Sequence, residues 1–415
     1  MISVVQTENS ASPLGADNGS PLWTMRIDDI LRWTLFLFCV TLPITISLAE
    51  PLAFLLVVLW MVRRGTSCAA WRPVPRSIAL PMAAFAALAL LASASGPRPA
   101  ISLWKSHRLL YLLIPFAIGD LSVRSGVRVV LGSLRCYLLG VLLLGIYDLS
   151  RVAWVAFHRY DIFDSGNMRD PQFYMTAICL ILGLAQTPFR SRYAAARVAI
   201  YLAGLVGHFK RGAWAGAIGG IMAMGLARRR FRRFALGMLG AIVIFLAIPA
   251  VRVRLKDIPA HLSGRTGGRG VLWGRVAPRI IADHPWGVGL GAVQHSDLQE
   301  YSGLIQPGLN HLHNNLLEIT LETGWLGGVV WLTWVLAVLA VAWRGARSAR
   351  SPVIRTLLAG ILGAYCALLI NGLVEYNFGD GEIFLLFCLM MGWLVPLVRC
   401  HAASEGETGR ELGLI

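Results

Sequence analysis

Charge is scarce in this 415-residue chain, and acid is scarcer than base. Charged residues make up 14% of the sequence, with 22 Asp and Glu against 38 Lys and Arg and a formal net charge of +16. A soluble domain carries about 25% charged residues. The low share here, beside 56% hydrophobic residues, excludes an ordinary water-soluble enzyme. Cysteine is too dispersed for a disulfide framework. Of seven cysteines, Cys39, Cys136, Cys179, Cys366 and Cys388 fall in or at apolar runs, where a thiol packs as a small hydrophobe. Cys68 and Cys400 fall on the side assigned below to the reducing cytoplasm. No Cys/His spacing fits zinc and no Asp-rich segment suits magnesium against a pyrophosphate, so no metal and no cofactor is expected. The first ~25 residues lack the short apolar core of a cleavable signal peptide.

Long apolar runs are what the chain has in quantity. About twelve can each cross a ~30 Å hydrocarbon core as a helix, which makes the expected fold an all-α integral membrane protein. They lie near Leu31–Ser47, Pro51–Val62, Ile78–Ala94, Leu109–Leu121, Val129–Tyr147 and Phe173–Phe189. The rest lie near Ala199–Phe209, Ala213–Ala227, Phe234–Val251, Leu326–Trp343, Leu357–Val374 and Ile383–Val398. Arginine clusters occupy alternate loops, among them Arg63 and Arg64, Arg124 and Arg128, Arg228 to Arg230, and Arg344 to Arg355. The positive-inside rule makes these loops and both termini cytoplasmic. The chain then divides into a cytoplasmic tail (1–28), spans one to nine (29–251), a large outward loop (252–323), spans ten to twelve (324–398) and a second cytoplasmic tail (399–415). Nucleic acid is not an expected partner, because the basic residues alternate with spans and form no soluble domain.

The outward side stays basic. Arg252, Arg254, Lys256, Arg265, Arg269, Arg275 and Arg279 share the large loop, and Lys210-Arg211 sits in another. Such residues also attract anionic headgroups or follow from a GC-rich genome, but planar Arg forks in a pocket bind phosphates bidentately. The glycine-rich turn Ser263–Gly270 presents Arg265 and Arg269 without choosing between them, and it matches no Walker pattern. It leads into Val271–Asp283, whose apolar positions Leu272, Val276 and Ile280 recur at helical spacing with Arg275 and Arg279 on another face. This amphipathic helix is expected to lie on the membrane or over the bundle. A second helix is expected to start near His313 and to be interrupted around Gly324-Trp325-Leu326-Gly327. His313 is the candidate base, since imidazole suits proton transfer near neutral pH, with His311 two residues away as competitor. Lys210 and Arg211 are costly in a bilayer and either anchor at the surface or line a polar cavity.

Four ordered motifs resemble the O-antigen ligase and polymerase superfamily of bacterial membrane proteins. Lys210-Arg211-Gly212-Ala213-Trp214 is similar to its RGAW segment, and Gly268-Arg269 with Trp273 to its GR–x–x–x–W segment. Ile281–Gly291 resembles its I–x–D–H–P–x–G–x–G–x–G segment, and His313-Asn314 followed by Gly324 and Gly327 completes the set. The resemblance implies a glycosyltransferase of the GT-C-like, many-helix type at the bacterial inner membrane, with its active site facing the periplasm. Its donor would be undecaprenyl-pyrophosphate-linked O-antigen, and for a ligase its acceptor would be lipid A–core oligosaccharide. Polymerases and protein O-oligosaccharyltransferases share the superfamily; modest length and the late His-Asn pattern, directly before a span, favour the ligase. Carried over, His313 is the catalytic residue and Arg211 and Arg269 the motif arginines, with Lys210, Arg265 and Asn314 as further substrate-binding candidates. The chain has His208-Phe209-Lys210 where a serine often precedes the motif arginine. A lipid-linked glycan transporter is the non-enzymatic alternative; it calls for charges deep inside spans, which are scarce here.

Overall fold

The computed structural model describes residues 22–65, 74–158, 169–247, 252, 256, 269–302 and 310–400. All regular elements among these residues are helical. Arg265, most of 252–268 and the outer parts of both expected tails lie outside the described residues.

In chain order the first helices are α1 (Leu22–Thr41), α2 (Ile46–Gly65), α3 (Arg76–Ser95), α4 (Pro99–Lys105) and α5 (Ile114–Ser125), with a tight 3₁₀ segment Ser106–Leu113 before α5. Next come α6 (Arg128–His158), α7 (Asp170–Leu184), α8 (Ala194–Gly207), α9 (Arg211–Ala227) and α10 (Phe231–Ala247). The large loop contributes α11 (Arg269–Val271), a π turn Leu272–Val276, α12 (Ala277–Asp283) and α13 (His295–Tyr301). The chain closes with α14 (Asn315–Ser348), α15 (Pro352–Asn371) and α16 (Gly381–Arg399). Each of the twelve apolar runs lies largely on helical residues, although Leu31–Ser47 crosses the break between α1 and α2, Leu109–Leu121 begins on the 3₁₀ segment, and the end of Phe234–Val251 lies outside the described residues. Among the described residues six helices are long and apolar enough to cross a membrane: α2, α3, the stretch Arg128–Arg151 of α6, α14, α15 and α16. The first two runs are corrected by several residues. Thr41 ends α1 and α2 begins at Ile46, because Pro43 lacks the N–H that would continue a helix.

Small residues let the central helices approach closely. Gly216 and Gly220 of α9 lie so near α15 that a Cβ on either would collide with the carbonyls of Ala367 and Gly363. Trp334, Tyr365 and Phe387 fill the core where α14, α15 and α16 meet, and Trp393 of α16 packs on Tyr137 of α6 and donates to Ser133 there at 2.8 Å. Outside, Trp33, Leu80, Leu91, Leu236 and Trp325 are exposed, the pattern of a surface solvated by lipid.

Polar contacts sort the connections between helices onto two ends. At one end Arg63 pairs with Asp28, Arg64 with Asp120, and Arg399 reaches the Gly119 carbonyl. At the other, Arg108 donates to the Gly379 carbonyl, Arg169 pairs with Glu382, and Arg269 pairs with Glu375. Arg98 there grips Asp297 with both terminal nitrogens, one at 2.7 Å. The second end gathers the loops that charge alternation assigns outward.

The kink in α14 organises this end. Gly324 has φ 76°, ψ 174°, so the helical hydrogen bonds stop there. The Ile281–Gly291 segment takes over the released groups: Val288 N donates to Leu321 O at 3.0 Å, Gly289 N to Glu322 O at 2.9 Å, and Trp325 N to Pro285 O at 3.1 Å. Gly287 and Gly324 are in mutual contact, so neither position has room for a side chain. The apolar face of the loop helices, Leu272, Val276 and Ile280, packs with Leu298, Leu312 and Leu321, over the bundle as the amphipathic pattern implies. Gly324→Ala should lower stability by about 1–3 kcal/mol through left-handed strain and collision. Gly237→Ala, on a helix with open space around it, should not. Thermal unfolding in detergent compares the two, and equal midpoints would refute this account of the kink.

Candidate active site

His313 ends the loop that precedes α14. Its backbone is left-handed, φ 50°, a conformation that costs a non-glycine residue on the order of 1–3 kcal/mol unless its surroundings fix it. They do. Leu312 is clamped on both sides, its carbonyl accepting from Trp273 Nε1 at 2.7 Å and its N–H donating to the buried Glu318 carboxyl at 2.6 Å. On the other flank Asn314 caps α14, its Oδ1 accepting from Leu317 N at 3.1 Å while its Nδ2 donates to Leu373 O at 2.9 Å. Asn315 N donates to Gly372 O at 2.8 Å, and its side chain binds Asn377 and the N–H of Phe378. The two asparagines thus fasten the His313 turn to the 372–380 turn after α15. Asn314, a substrate-binding candidate by sequence, has both side-chain groups engaged within the chain.

The fastening brings Glu375 to the imidazole. His313 Nδ1 lies 2.9 Å from Glu375 Oε2, and Arg269 reaches the same oxygen at 3.3 Å. Burial pushes the Glu375 carboxyl up, but the His313 hydrogen bond and the charges of His313 and Arg269 outweigh it and hold the group below the usual carboxylate range. A carboxylate at Nδ1 favours the tautomer with the proton there and leaves Nε2 with its lone pair. Among the described residues Nε2 has no hydrogen bond.

Geometry also separates the two histidines. Their rings are 4.0 Å apart, and His311 Nδ1 accepts the His313 N–H at 3.3 Å, which requires that nitrogen to be unprotonated. Burial, then the charge of His313, pushes the His311 imidazole down to about 4. His311 is therefore a neutral structural acceptor.

Lys210 and Arg211 open α9 at the same turn, since a Cβ on Gly212 would meet Asn371 and Val374, the residues just before Glu375. The approach to Lys210 is built rather than loose. Phe209 is left-handed with φ 52°, His208 Nε2 lies 2.8 Å from Asp148 Oδ2, and Tyr174 donates to the same oxygen at 2.6 Å. Asp148, Asp170 and His208 together form a buried group whose ligand atoms are close enough to hold a metal ion. Here they are engaged by hydrogen bonds and by Arg169, which donates to Asp170 at 2.9 Å. Three helices supply these three residues, so no sequence spacing announces the group.

The structure thus brings together His313, Arg269 and the start of α9; Arg265 lies outside the described residues. Sequence reading missed Glu375, Glu318, Glu322 and Tyr376. The one sequence signal for Glu375 is its place in the short polar loop between the eleventh and twelfth apolar runs, which charge alternation assigns outward. Tyr376 donates to Glu322 at 2.7 Å, and Gly291 N to the other Glu322 oxygen at 2.7 Å, which joins the glycine motif to the same turn.

Acid should loosen the site. In the fold His311 takes a proton only near pH 4, against 6.5 for an ordinary imidazole. Between those values the unfolded chain holds the extra proton, so this stabilisation is complete above pH 6.5 and is lost as pH falls toward 4. The melting temperature of wild type should fall more steeply across that window than that of His311→Asn. Parallel curves would contradict the assignment.

A search of curated proteins returned no match to the chain. Residues 196–332 match the family model described as O-Antigen ligase, Wzy_C, a stretch that holds Lys210, Arg211, Arg269 and His313 and stops short of Glu375. Over residues 196–332, about a third of its length, the chain is thus similar to the O-antigen ligase domain.

Proposed function

We propose that this protein is an O-antigen ligase that transfers glycan from undecaprenyl pyrophosphate to a sugar hydroxyl of lipid A–core at the periplasmic face of the bacterial inner membrane. One observation carries the reading: His313 is held by Glu375 at 2.9 Å, with Arg269 on the same carboxylate and the Lys210-Arg211 helix start against the same turn. A base and several fixed cations converge where two lipid-anchored substrates could meet. Charge alternation over the twelve apolar runs of the sequence supports the placement, because it assigns every one of these groups to the outward side.

The chemistry is a single displacement that inverts the anomeric carbon. His313 Nε2 takes the proton of the acceptor hydroxyl as its oxygen attacks that carbon. The bond from the anomeric carbon to the pyrophosphate oxygen breaks, and the lipid pyrophosphate leaves with the electron pair. Arg211 and Arg269, with Lys210, neutralise the charge that develops there, the electrostatic work other enzymes assign to a metal. Glu375 fixes the imidazole tautomer and stabilises the imidazolium that forms, and Asn314 places the ring by fixing the turn. Arg265 belongs to the same basic loop as Arg269 and is a second candidate for the pyrophosphate.

Purified protein mixed with lipid-linked O-antigen and rough lipopolysaccharide, with chelator present, should produce a glycan ladder on lipid A–core. His313→Ala should lose the activity by 10²-fold or more, on the order of the usual contribution of a general base. Ladder formation by His313→Ala at the wild-type rate would rule out the catalytic role. Arg211→Ala should raise the donor KM or lower kcat with saturating acceptor, and unchanged donor kinetics would remove it from the pyrophosphate site.

A further inference from the structure

A second cationic group lies on the far side of the turn that carries Glu375. Behind Tyr376 is a cavity of about 120 Å³ lined by Lys105, Arg108, Glu322 and the glycine loop at Gly291. Its apolar walls include Phe85, Phe378 and Phe384. Such a mixture of apolar lining and a few convergent polar groups is the composition of a ligand site.

Its hydrogen-bonding groups are not all satisfied from within. Both oxygens of Glu322 are occupied, one by Gly291 N and one by Tyr376, each at 2.7 Å. Arg108 donates through Nη1 to the Gly379 carbonyl, but its Nε is buried with no hydrogen-bond partner. Among the described residues Lys105 forms no hydrogen bond or ion pair, and neither cation is ion-paired to Glu322. A buried donor without an acceptor is costly, and the Arg108 Nε and the Lys105 ammonium both lack one. An anion with several oxygens would satisfy both. The loop is also shaped to it: Gly291, with φ 60°, packs on the Lys105 stem and Gly289, with φ 96°, on Ser102. Side chains there would push the loop off the cavity.

We infer that this cavity is the acceptor subsite, in which Lys105 and Arg108 bind a phosphate of the acceptor's lipid-anchored head group. The inference rests on the transferase reading above. Its geometric ground is that two separate cationic groups bracket one turn. Gly212, next to Arg211, touches Asn371 and Val374, and Arg269 pairs with Glu375, whereas Lys105 and Arg108 share a cavity with Tyr376, Phe378 and Gly379. A transfer between two phosphate-bearing amphiphiles needs one anchoring group for each, and the arginines of α9 and α11 serve the donor.

Lys105→Met is the decisive variant, because it keeps the stem against Gly291 and removes only the charge. With saturating lipid-linked donor, its KM for rough lipopolysaccharide should rise at least tenfold while the donor KM stays within twofold, and Lys105→Arg should restore the acceptor KM. Rough lipopolysaccharide stripped of its phosphates should be used equally well by wild type and Lys105→Met. An unchanged acceptor KM, or a rise in the donor KM instead, would overturn the assignment. Equilibrium binding separates this test from the transferase reading. If wild type transfers no glycan, that reading fails. The subsite then stands if wild type binds intact rough lipopolysaccharide at least tenfold tighter than the phosphate-stripped material and Lys105→Met does not. Equal affinities, or inorganic phosphate competing as well as the lipid, would overturn it.

Discussion

The hydrogen bond between His313 and Glu375 is the contact on which the rest of this end of the molecule depends. It joins the loop before α14 to the turn after α15, 62 residues apart in sequence. An imidazole alone at a membrane surface titrates and rotates. A buried carboxylate on Nδ1 fixes the ring, leaves the Nε2 lone pair uncommitted, and offers a counter-charge to an imidazolium. Arg269 on the same oxygen ties the basic loop to the same point. Most polar features nearby serve to make this contact possible. Trp273 and Glu318 clamp Leu312, Asn314 and Asn315 lace the two turns together, and His311 accepts the N–H of the left-handed residue.

The break in α14 supplies the room. A continuous helix would satisfy its own carbonyls at Leu321 and Glu322 and leave nothing for the loop to hold. With Gly324 non-helical, those carbonyls bind Val288 and Gly289, and the loop is seated on the membrane helix. The glycines of the Ile281–Gly291 segment are thereby explained by close approach as much as by their turns. Backbone geometry in one helix thus decides where the loop wall of the cavity at Gly291 and Glu322 stands.

Much of the fold could be read from the chain, because apolar length and helical period are local properties. Each apolar run lies largely on helical residues, and Leu272, Val276 and Ile280 are buried as their spacing implied. The boundary of the first two helices moved because Pro43 stops a helix that hydrophobicity alone would extend. His313, Arg211 and Arg269 stood out because each sits in a short motif with unusual polar content. Glu375 did not, since nothing within its own turn says which distant residue it will meet. The Asp148, Asp170 and His208 group was hidden for the same reason. Asn314 is the opposite case: it was noticed as a polar neighbour of the histidine, and its side chain turned out to cap the helix that holds that histidine in place.

Glu375 also gives the account its sharpest point of failure. Glu375→Gln keeps the side-chain shape and the capacity to accept from His313 Nδ1, and it removes the charge that steadies the imidazolium. Initial rates of glycan transfer to lipid A–core, measured with both substrates saturating, should fall at least tenfold in this variant while both KM values remain within about twofold of wild type. A Glu375→Gln enzyme that turns over at the wild-type rate would contradict the claim that this carboxylate and His313 act as one unit.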